Sequence, residues 1–280
     1  MIENNQASSN GLWAKIGRFL PKYLYALCAS FYLFTVGAFS RNHRFLIFLI
    51  AKHFGMKIRM EESRLPTTPL SSVIDPHVDL HLFELIGEAG NVSLLELMVI
   101  ASMARRAVPL VAFEIGTFDG RTALNIAANL GPDGRVYTLD LPKIGLQETR
   151  FELVPGETAF VDKESSGSKF AGTEYAARIA QLFGDSATFD FSPYEGQMGL
   201  IFVDGSHSFE YVRQDSVTAL RLAAPGQSVI LWHDYQQDWP GVIQVLNQLH
   251  DSGGEFSDLR RIEGTSLVML RREKNARRSS

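Results

Sequence analysis

Beyond residue 107, short apolar runs alternate with longer stretches of helical periodicity. Val108 to Ile115 is almost wholly apolar, which is typical of a parallel strand buried on both faces. Strands separated by helices indicate an α/β fold with a doubly wound, mostly parallel sheet and right-handed crossovers. The same patterns predict further strands at Arg135–Leu139, Leu200–Val203, Ser228–Trp232, 260–262 and 266–271, and helices at Thr122–Leu130, Glu174–Phe183, Phe209–Ala224 and Val242–His250.

The first 60 residues have a different pattern. Tyr23 to Ser40 is uncharged and rich in aromatic and aliphatic residues, and it approaches the length of about 20 residues that spans a bilayer. Two interpretations stay open: a membrane-associated region that spans the bilayer or lies in its interface, and a buried helix that caps the main domain. If the run spans, the heavier positive charge after it places the main domain in the cytoplasm. The flanking cations are Lys15, Arg18, Lys22, Arg41, Arg44, Lys52, Lys57 and Arg59.

Breaks in these patterns divide the chain into regions. Paired prolines and an Asp-Pro step after residue 60 interrupt any helix. Ser93 to Ala107 then predicts a helix, with Ser93 and Glu96 at the spacing of a capping box, and Leu80 to Glu88 predicts a shorter one. The predicted regions are an apolar helical region at 1–60, a linker at 61–78, the main domain at 79–272 and a basic tail at 273–280.

Composition restricts the class of protein. The chain has 280 residues, of which 45% are hydrophobic and 21% charged, so it can bury a full core and is not disordered. The net charge of −4 gives no overall attraction to nucleic acid. The single cysteine, Cys28, excludes an internal disulfide framework and a multi-cysteine zinc site. We therefore expect a globular protein without a nucleic-acid partner, of unassigned oligomeric state.

The turn after the first buried strand has the character of a nucleoside site. Gly116 and Gly120 lie between that strand and the next helix, where glycine allows positive φ and close approach of a ligand. The spacing is not the G-x-G-x-x-G of dinucleotide-binding folds, and no G-K-[ST] follows. Glu114 at the end of the strand suits a cationic part of a ligand better than a phosphate.

Polar residues at the next two strand ends complete this pattern. Asp140 lies about 20 residues beyond the glycine turn, where a carboxylate can accept hydrogen bonds from two ribose hydroxyls. Asp185 and Ser186 could meet an adenine edge, although Gly-Asp-Ser is also ordinary turn chemistry. Residues 141–172 predict a long irregular excursion to which no role is assigned.

The ordered set Glu114, Gly116, Gly120, Asp140, Asp185 and Asp204 resembles the class I S-adenosylmethionine-dependent methyltransferases. The stretches Phe202–Val212 and Ile230–Tyr235, with their D-G-x-H and H-D motifs, resemble a bacterial group of sugar and macrolide O-methyltransferases, many of them metal-dependent. The resemblance covers roughly residues 90–272.

This resemblance implies a seven-stranded Rossmann-like sheet with one antiparallel edge strand. It also implies that Gly116 and Gly120 line the methionine side of the cofactor, that Glu114 lies beneath it, that Asp140 binds the ribose and that Asp185 or Ser186 meets the adenine.

Four residues at the ends of two later strands are the candidate catalytic groups: Asp204, His207, His233 and Asp234. In the metal-dependent relatives, a carboxylate at the Asp204 position joins an acidic pair after the next strand. A divalent ion such as Mg²⁺ held by Asp204, His233 and Asp234 could lower the pKa of an acceptor hydroxyl. Because this pair is His233-Asp234 rather than two acids, a softer metal or none is also open. Without metal, His207 or His233 would act as general base; both histidines could also be purely structural.

The predicted activity is methyl transfer from S-adenosylmethionine to a hydroxyl oxygen of a small molecule or glycan. Two alternatives remain. The first is a metal-dependent hydroxylase-like enzyme on the same fold, because fold does not fix function. The second is a membrane-tethered binding protein with a vestigial cofactor pocket.

Overall fold

The computed structural model describes residues 6–54, 61–88, 90–154, 156–163 and 165–273. Contacts within the chain divide it into two compact units, Met1–Arg59 and Met60–Ser280. Most of the basic tail predicted at 273–280 lies outside the described residues.

The N-terminal unit consists of two helices, α1 (Gln6–Phe34) and α2 (Arg41–His53), joined by a 3₁₀ turn at Gly37–Phe39. Many of its apolar side chains are exposed, among them Tyr25 at 78% and Phe31 at 74%. The uncharged run does not continue as a single helix, because α1 ends before the turn. Among the described residues, no helix has both the length and the apolarity needed to cross a bilayer.

The second unit is built on one sheet whose strand order is β1-β7-β8-β6-β5-β2-β3-β4. Strand β8 pairs antiparallel with β6 and β7, and the other pairs are parallel. The strands are β1 (Thr67–Thr68), β2 (Val111–Ile115), β3 (Arg135–Asp140), β4 (Ile179–Phe183), β5 (Leu200–Val203), β6 (Gln227–Trp232), β7 (Arg260–Ile262) and β8 (Val268–Glu273). The helices are α3 (Leu94–Arg105), α4 (Arg121–Asn129), α5 (Thr158–Val161), α6 (Phe209–Leu222) and α7 (Pro240–Ser252).

This topology confirms the predicted doubly wound α/β fold. Strand β2 is the point where the strand order reverses, since β3 and β4 follow on one side and β5 and β6 on the other. The sheet has eight strands instead of seven because Thr67 and Thr68, in the predicted linker, pair with β7. The segment at 61–78 is thus not a free linker, and Val73 within it is fully buried.

Both faces of the sheet are covered, as the unbroken apolar strands predict. Phe113 of β2 belongs to a core cluster with Leu246 of α7, and its neighbour Ala112 belongs to a second cluster with Ile100 of α3 and Ala127 of α4. Successive side chains of a strand point to opposite faces, so β2 joins both layers. The capping box of α3 is present: Ser93 N donates to Glu96 Oε2 at 2.8 Å, and the Ser93 side chain accepts from Glu96 N.

Two predicted helices are wrong. The Glu174–Phe183 segment contains a 3₁₀ turn and then β4, because its short apolar end pairs with β3; periodicity alone does not separate a strand from a helix in so short a run. The Leu80–Glu88 segment has no helix, because side chains of α4 satisfy its backbone: Asn125 bonds Phe83 N and O, and Asn129 bonds His81 N and O.

Candidate active site

The glycine turn at the end of β2 adopts the conformation that only glycine accepts readily. Gly116 has φ +102° and Gly120 has φ +86°, and Gly120 is the N-cap of α4. A Cβ on Gly116 would lie 2.0 Å from the backbone oxygen of Asp204. Gly116 is therefore required by the close approach of the chain after β5, in addition to any approach by a ligand. A Cβ on Gly120 would meet Phe170 at 2.6 Å.

Glu114 lies beneath this turn and is fully buried. Thr138 Oγ1 donates a 2.5 Å hydrogen bond to Glu114 Oε2, while Oε1 has no hydrogen-bond partner among the described residues. Burial raises the pKa of Glu114 well above its usual range. That the carboxyl of Glu114 suits a cationic part of a ligand stays a prediction.

Asp140 ends β3 and is 8% exposed. Its Oδ2 accepts a hydrogen bond from Ser166 Oγ and lies 2.7 Å from Lys163 Nζ. Both partners come from the β3–β4 connection (residues 141–178), which the sequence leaves unassigned. In this structure the predicted ribose-binding carboxylate thus already has a cation and a hydroxyl against it.

Asp185 and Ser186 follow β4. The Asp185 carboxylate accepts hydrogen bonds from Ala187 N at 2.9 Å and Arg150 N at 2.7 Å, which is the turn chemistry that the sequence left open. It also ties the β3–β4 connection to the end of β4. An adenine contact by these two residues stays a prediction.

The strand ends surround one cavity of about 790 Å³. This volume can hold a nucleoside-sized cofactor together with part of an acceptor molecule. Among the described residues, the predicted site residues Glu114 and Gly120 do not line this cavity. The predicted residues that line it are Gly116, Asp140, Asp185, Ser186, Asp204, His207, His233 and Asp234.

Asp204 and the His233-Asp234 pair come together because β5 and β6 are adjacent and parallel, with Val203 opposite Trp232. His233 Nδ1 lies 2.9 Å from Asp204 Oδ1 and its Nε2 lies 3.4 Å from Glu96 Oε2. Asp234 has φ +61°, a left-handed conformation that aspartate tolerates better than most residues. The turn directs its carboxylate toward both histidines.

His207 lies between two carboxylates. Its Nδ1 is 2.6 Å from Glu157 Oε1 and its Nε2 is 2.8 Å from Asp234 Oδ2. The ring also stacks on Trp239, with ring centroids 3.9 Å apart. The orientation of the imidazole is therefore fixed at both nitrogens and on one face.

These contacts keep the histidines charged in the metal-free protein. Burial lowers the pKa of His207, but Asp234 and Glu157 outweigh it and raise the pKa to about 9. Burial likewise opposes the charge on His233, but Asp204, Asp234 and Glu96 hold its pKa well above the usual range. The same histidines hold the pKa of Asp234 well below its usual range against the effect of burial. The cluster is thus a network of ion pairs near pH 7.

Three of the four catalytic candidates could hold a metal ion. One ligand atom from each of Asp204, His207 and Asp234 lies within 4.8 Å of the other two. This set contains His207, whereas the predicted set contained His233, which instead contacts the carboxylates of Asp204 and Asp234 from the side of α3.

Sequence reasoning missed several residues of the site. Glu96 was noted only as part of the capping box, yet its Oε1 also accepts from Ser266 N and Oγ. Glu157, Lys163 and Trp239 were not noted at all. Glu157 and Lys163 lie in a stretch without periodicity, and Trp239 precedes a helix, so no local pattern marked them.

A family model described as "Methyltransferase domain" matches residues 113–235. That range begins within β2, ends just after β6 and contains every site residue predicted from the sequence. No curated protein matches the chain.

Several solved structures resemble the chain at low sequence identity. A Corynebacterium glutamicum protein shares 12% identity with a TM-score of 0.50, covering 91% of this chain and 100% of that one. The O-methyltransferase TomG from Streptomyces achromogenes, solved with SAM, shares 18% identity with a TM-score of 0.44, covering 80% and 96%. The O-methyltransferase from Bacillus cereus, solved with SAH, shares 16% identity with a TM-score of 0.46, covering 66% and 84%. The match of the methyltransferase-domain model to residues 113–235 confirms the predicted resemblance to the methyltransferases, and the likeness to the solved structures shows the fold alone.

Proposed function

We propose that this chain transfers the sulfonium methyl group of S-adenosylmethionine to a hydroxyl oxygen of a small-molecule acceptor. The observation that carries the proposal is one continuous cavity, with the glycine turn and Asp140 at one side and the Asp204–His207–Asp234 cluster at the other. A cofactor bound over the turn would present its methyl group toward the cluster. In such a reaction the protein mainly positions the two reactants and excludes water.

The cluster supports a metal ion better than a free histidine base. Both ring nitrogens of His207 and of His233 face carboxylates, so neither ring has a free nitrogen to take a proton from the acceptor. Two carboxylates and one imidazole suit Mg²⁺ or Mn²⁺. We assign Asp204, His207 and Asp234 as the residues that would hold it. When bound, the ion would lower the pKa of the acceptor hydroxyl.

The charge of the cavity favours a neutral or cationic acceptor, such as a glycan. Among the described residues that line it, the cations are Lys163, which is paired with Asp140, Arg261, and the two histidines His207 and His233, which are paired with carboxylates of the cluster. The acids on the wall are Glu96, Asp119, Asp140, Glu157, Asp185, Asp204 and Asp234. An anionic acceptor would have to enter against these carboxylates, at a cost in a low-dielectric cavity.

Calorimetric titration of the protein with S-adenosylmethionine and, separately, with NADH tests the cofactor. We expect binding of S-adenosylmethionine alone; binding of NADH without binding of S-adenosylmethionine would refute the proposal. Formation of S-adenosylhomocysteine with a panel of neutral polyols, in the presence and absence of a chelator, then tests the acceptor and the metal. Oxidation of the acceptor with bound Fe(II) would favour the hydroxylase alternative.

We also propose that the N-terminal unit contacts a membrane surface. Its exposed aromatic side chains, including Tyr23, Tyr25 and Phe31, and cations such as Lys22 and Arg44, are typical of interfacial helices on anionic lipid. The protein should sediment with phosphatidylserine vesicles, and Tyr25→Ser/Phe31→Ser should sediment less. Equal recovery of both proteins in the supernatant would contradict the proposal.

A further inference from the structure

Glu157 lies at the start of α5 in the β3–β4 connection and is 4% exposed. Its two carboxylate oxygens accept four hydrogen bonds. Oε1 accepts from His207 N at 2.5 Å and faces His207 Nδ1 at 2.6 Å. Oε2 accepts from Ser206 Oγ and from Val154 N, both at 2.8 Å.

We propose that Glu157 is a positioning residue that prepares His207 to bind a divalent metal ion. This inference rests on the metal site assigned above. Because Glu157 accepts the Nδ1 proton, the Nε2 atom of His207 is left to face Asp234 and the cavity. A carboxylate behind a metal-binding histidine fixes the tautomer and the ring orientation and increases the basicity of the ligand nitrogen.

The contacts of Glu157 favour this role over a purely structural one. Within the part of the chain that the structure describes, the only ion-pair partner of Glu157 is His207. The backbone N–H of His207 is held by the same oxygen as its ring, so one carboxylate sets both the main chain and the side chain of this residue. Trp239 stacks on one face of the His207 ring and so fixes the plane of that ring. The carboxylate of Glu157 then fixes the direction in which Nδ1 points within this plane.

The β3–β4 connection thereby contributes to both sides of the cavity. Lys163, in the turn after α5, pairs with Asp140, while Glu157, just before α5, holds His207. A metal-binding histidine supplied by the β5–α6 turn thus depends on a segment that is remote in sequence. Loss of Glu157 should leave the ring free to rotate or to change tautomer without removing any assigned metal ligand.

Mn²⁺ titration of the intact protein, followed by calorimetry, tests this role without any acceptor. Glu157→Gln keeps the size of the side chain and removes its charge, and it should bind Mn²⁺ about 10–100-fold more weakly than wild type. Glu148→Gln, an exposed glutamate of the same connection, is the matched control and should bind Mn²⁺ like wild type. Binding of S-adenosylmethionine should stay within about twofold in both variants, which a general disturbance of the fold would not allow.

A double-mutant cycle separates action through His207 from other effects. In a His207→Asn background, Glu157→Gln should cause no further loss of Mn²⁺ affinity, because the residue through which Glu157 acts is gone. Unchanged Mn²⁺ binding by Glu157→Gln, or an equal loss in both backgrounds, would overturn the inference. Should Glu157→Gln fail to fold, Glu157→Asp keeps the charge on a shorter side chain, and wild-type affinity in that variant would also overturn it.

Wild-type protein that binds S-adenosylmethionine but no Mn²⁺ would refute the metal site and this inference together. That outcome would leave the methyltransferase proposal standing, so the two failures are distinguishable.

Discussion

The carboxyl groups at the acceptor side of the cavity differ from those beneath its cofactor side. Asp204 and Asp234 lie against the rings of His207 and His233. Glu114, by contrast, is fully buried, and the Thr138 hydroxyl is the only hydrogen-bond partner of its carboxyl group within the described part of the chain. Burial of a carboxylate is tolerated when a cation pairs with it and otherwise drives protonation.

Asp215 of α6 resembles Glu114 in this respect. It is fully buried, and neither of its carboxylate oxygens has a hydrogen-bond partner in the ranges that the structure describes. Burial raises its pKa to about 7. The molecule thus concentrates paired carboxylates and histidines where a metal and an acceptor would meet, whereas the pKa values of the buried acids Glu114 and Asp215 are raised behind the cavity wall.

The largest effect that tests this comparison is the loss of turnover when a carboxylate on the acceptor side of the cavity is replaced. Asp234→Asn keeps the shape of the side chain but removes the charge shared by His207 and His233. We expect turnover to fall by about 10²–10⁴-fold, because the acceptor hydroxyl would keep its proton. Affinity for S-adenosylmethionine should change by less than about twofold, since Asp234 lies away from the predicted ribose and adenine contacts.

Formation of S-adenosylhomocysteine and calorimetry measure the two quantities separately. Asp204→Asn should behave in the same way. A chelator should reduce the wild type to the level of the variants, and added Mn²⁺ or Mg²⁺ should restore the wild type alone. Wild-type turnover by both variants would place the catalytic centre elsewhere.

The parts of the site that could be predicted from the sequence all lie at strand ends. Gly116, Asp140, Asp204 and Asp234 directly follow or end apolar runs, and the carboxyl ends of parallel strands meet at one edge of a sheet. Strand identity therefore predicted their proximity without knowledge of any contact. The same logic predicted the fold class, since the alternation of strands and helices permits few topologies.

The connections could not be predicted in this way. Glu157 and Lys163 reach the cavity because of the path taken by the β3–β4 connection, and no period in the sequence encodes that path. Thr67 and Thr68 were assigned to a linker because Pro66 and Pro69 flank them, yet an edge position tolerates prolines outside the paired residues. The error at Glu174–Phe183 has the same origin, because pairing with β3 decided its conformation.

A second prediction concerns the buried acids that lack a cation partner, of which Asp215 is the example. The pKa of Asp215 is about 7 in the folded protein and about 3.9 in an unfolded chain. Between these values the unfolded state loses its proton first, so stability should fall as pH rises from about 4 to about 7. The total loss is on the order of 4 kcal/mol. Asp215→Asn should remove this slope and be more stable than wild type at pH 8, with similar stability near pH 4.

Urea unfolding at a series of pH values measures this effect. Asp133→Asn, an exposed aspartate, is the control and should keep the wild-type slope. An Asp215→Asn variant that is less stable than wild type at pH 8 would show that Asp215 is charged and partnered in the folded protein, and the contrast between the two sides of the cavity would fail.

The smallest expected effect is at Asp140. This residue belongs neither to the carboxylates that pair with histidines nor to the buried unpaired acids, because it pairs with Lys163. Asp140→Ala should weaken binding of S-adenosylmethionine by about 1.5–3 kcal/mol, the value of a charge-assisted hydrogen bond. Lys163 and Ser166 both contact Oδ2 of Asp140, so the ribose competes with them for that oxygen and the net effect should lie nearer the lower value. Lys163→Met removes this competitor and should bind the cofactor as tightly as wild type or more tightly. Calorimetry on both variants decides the point. Weaker binding by Lys163→Met than by Asp140→Ala would mean that Lys163, and not the carboxylate, contacts the cofactor.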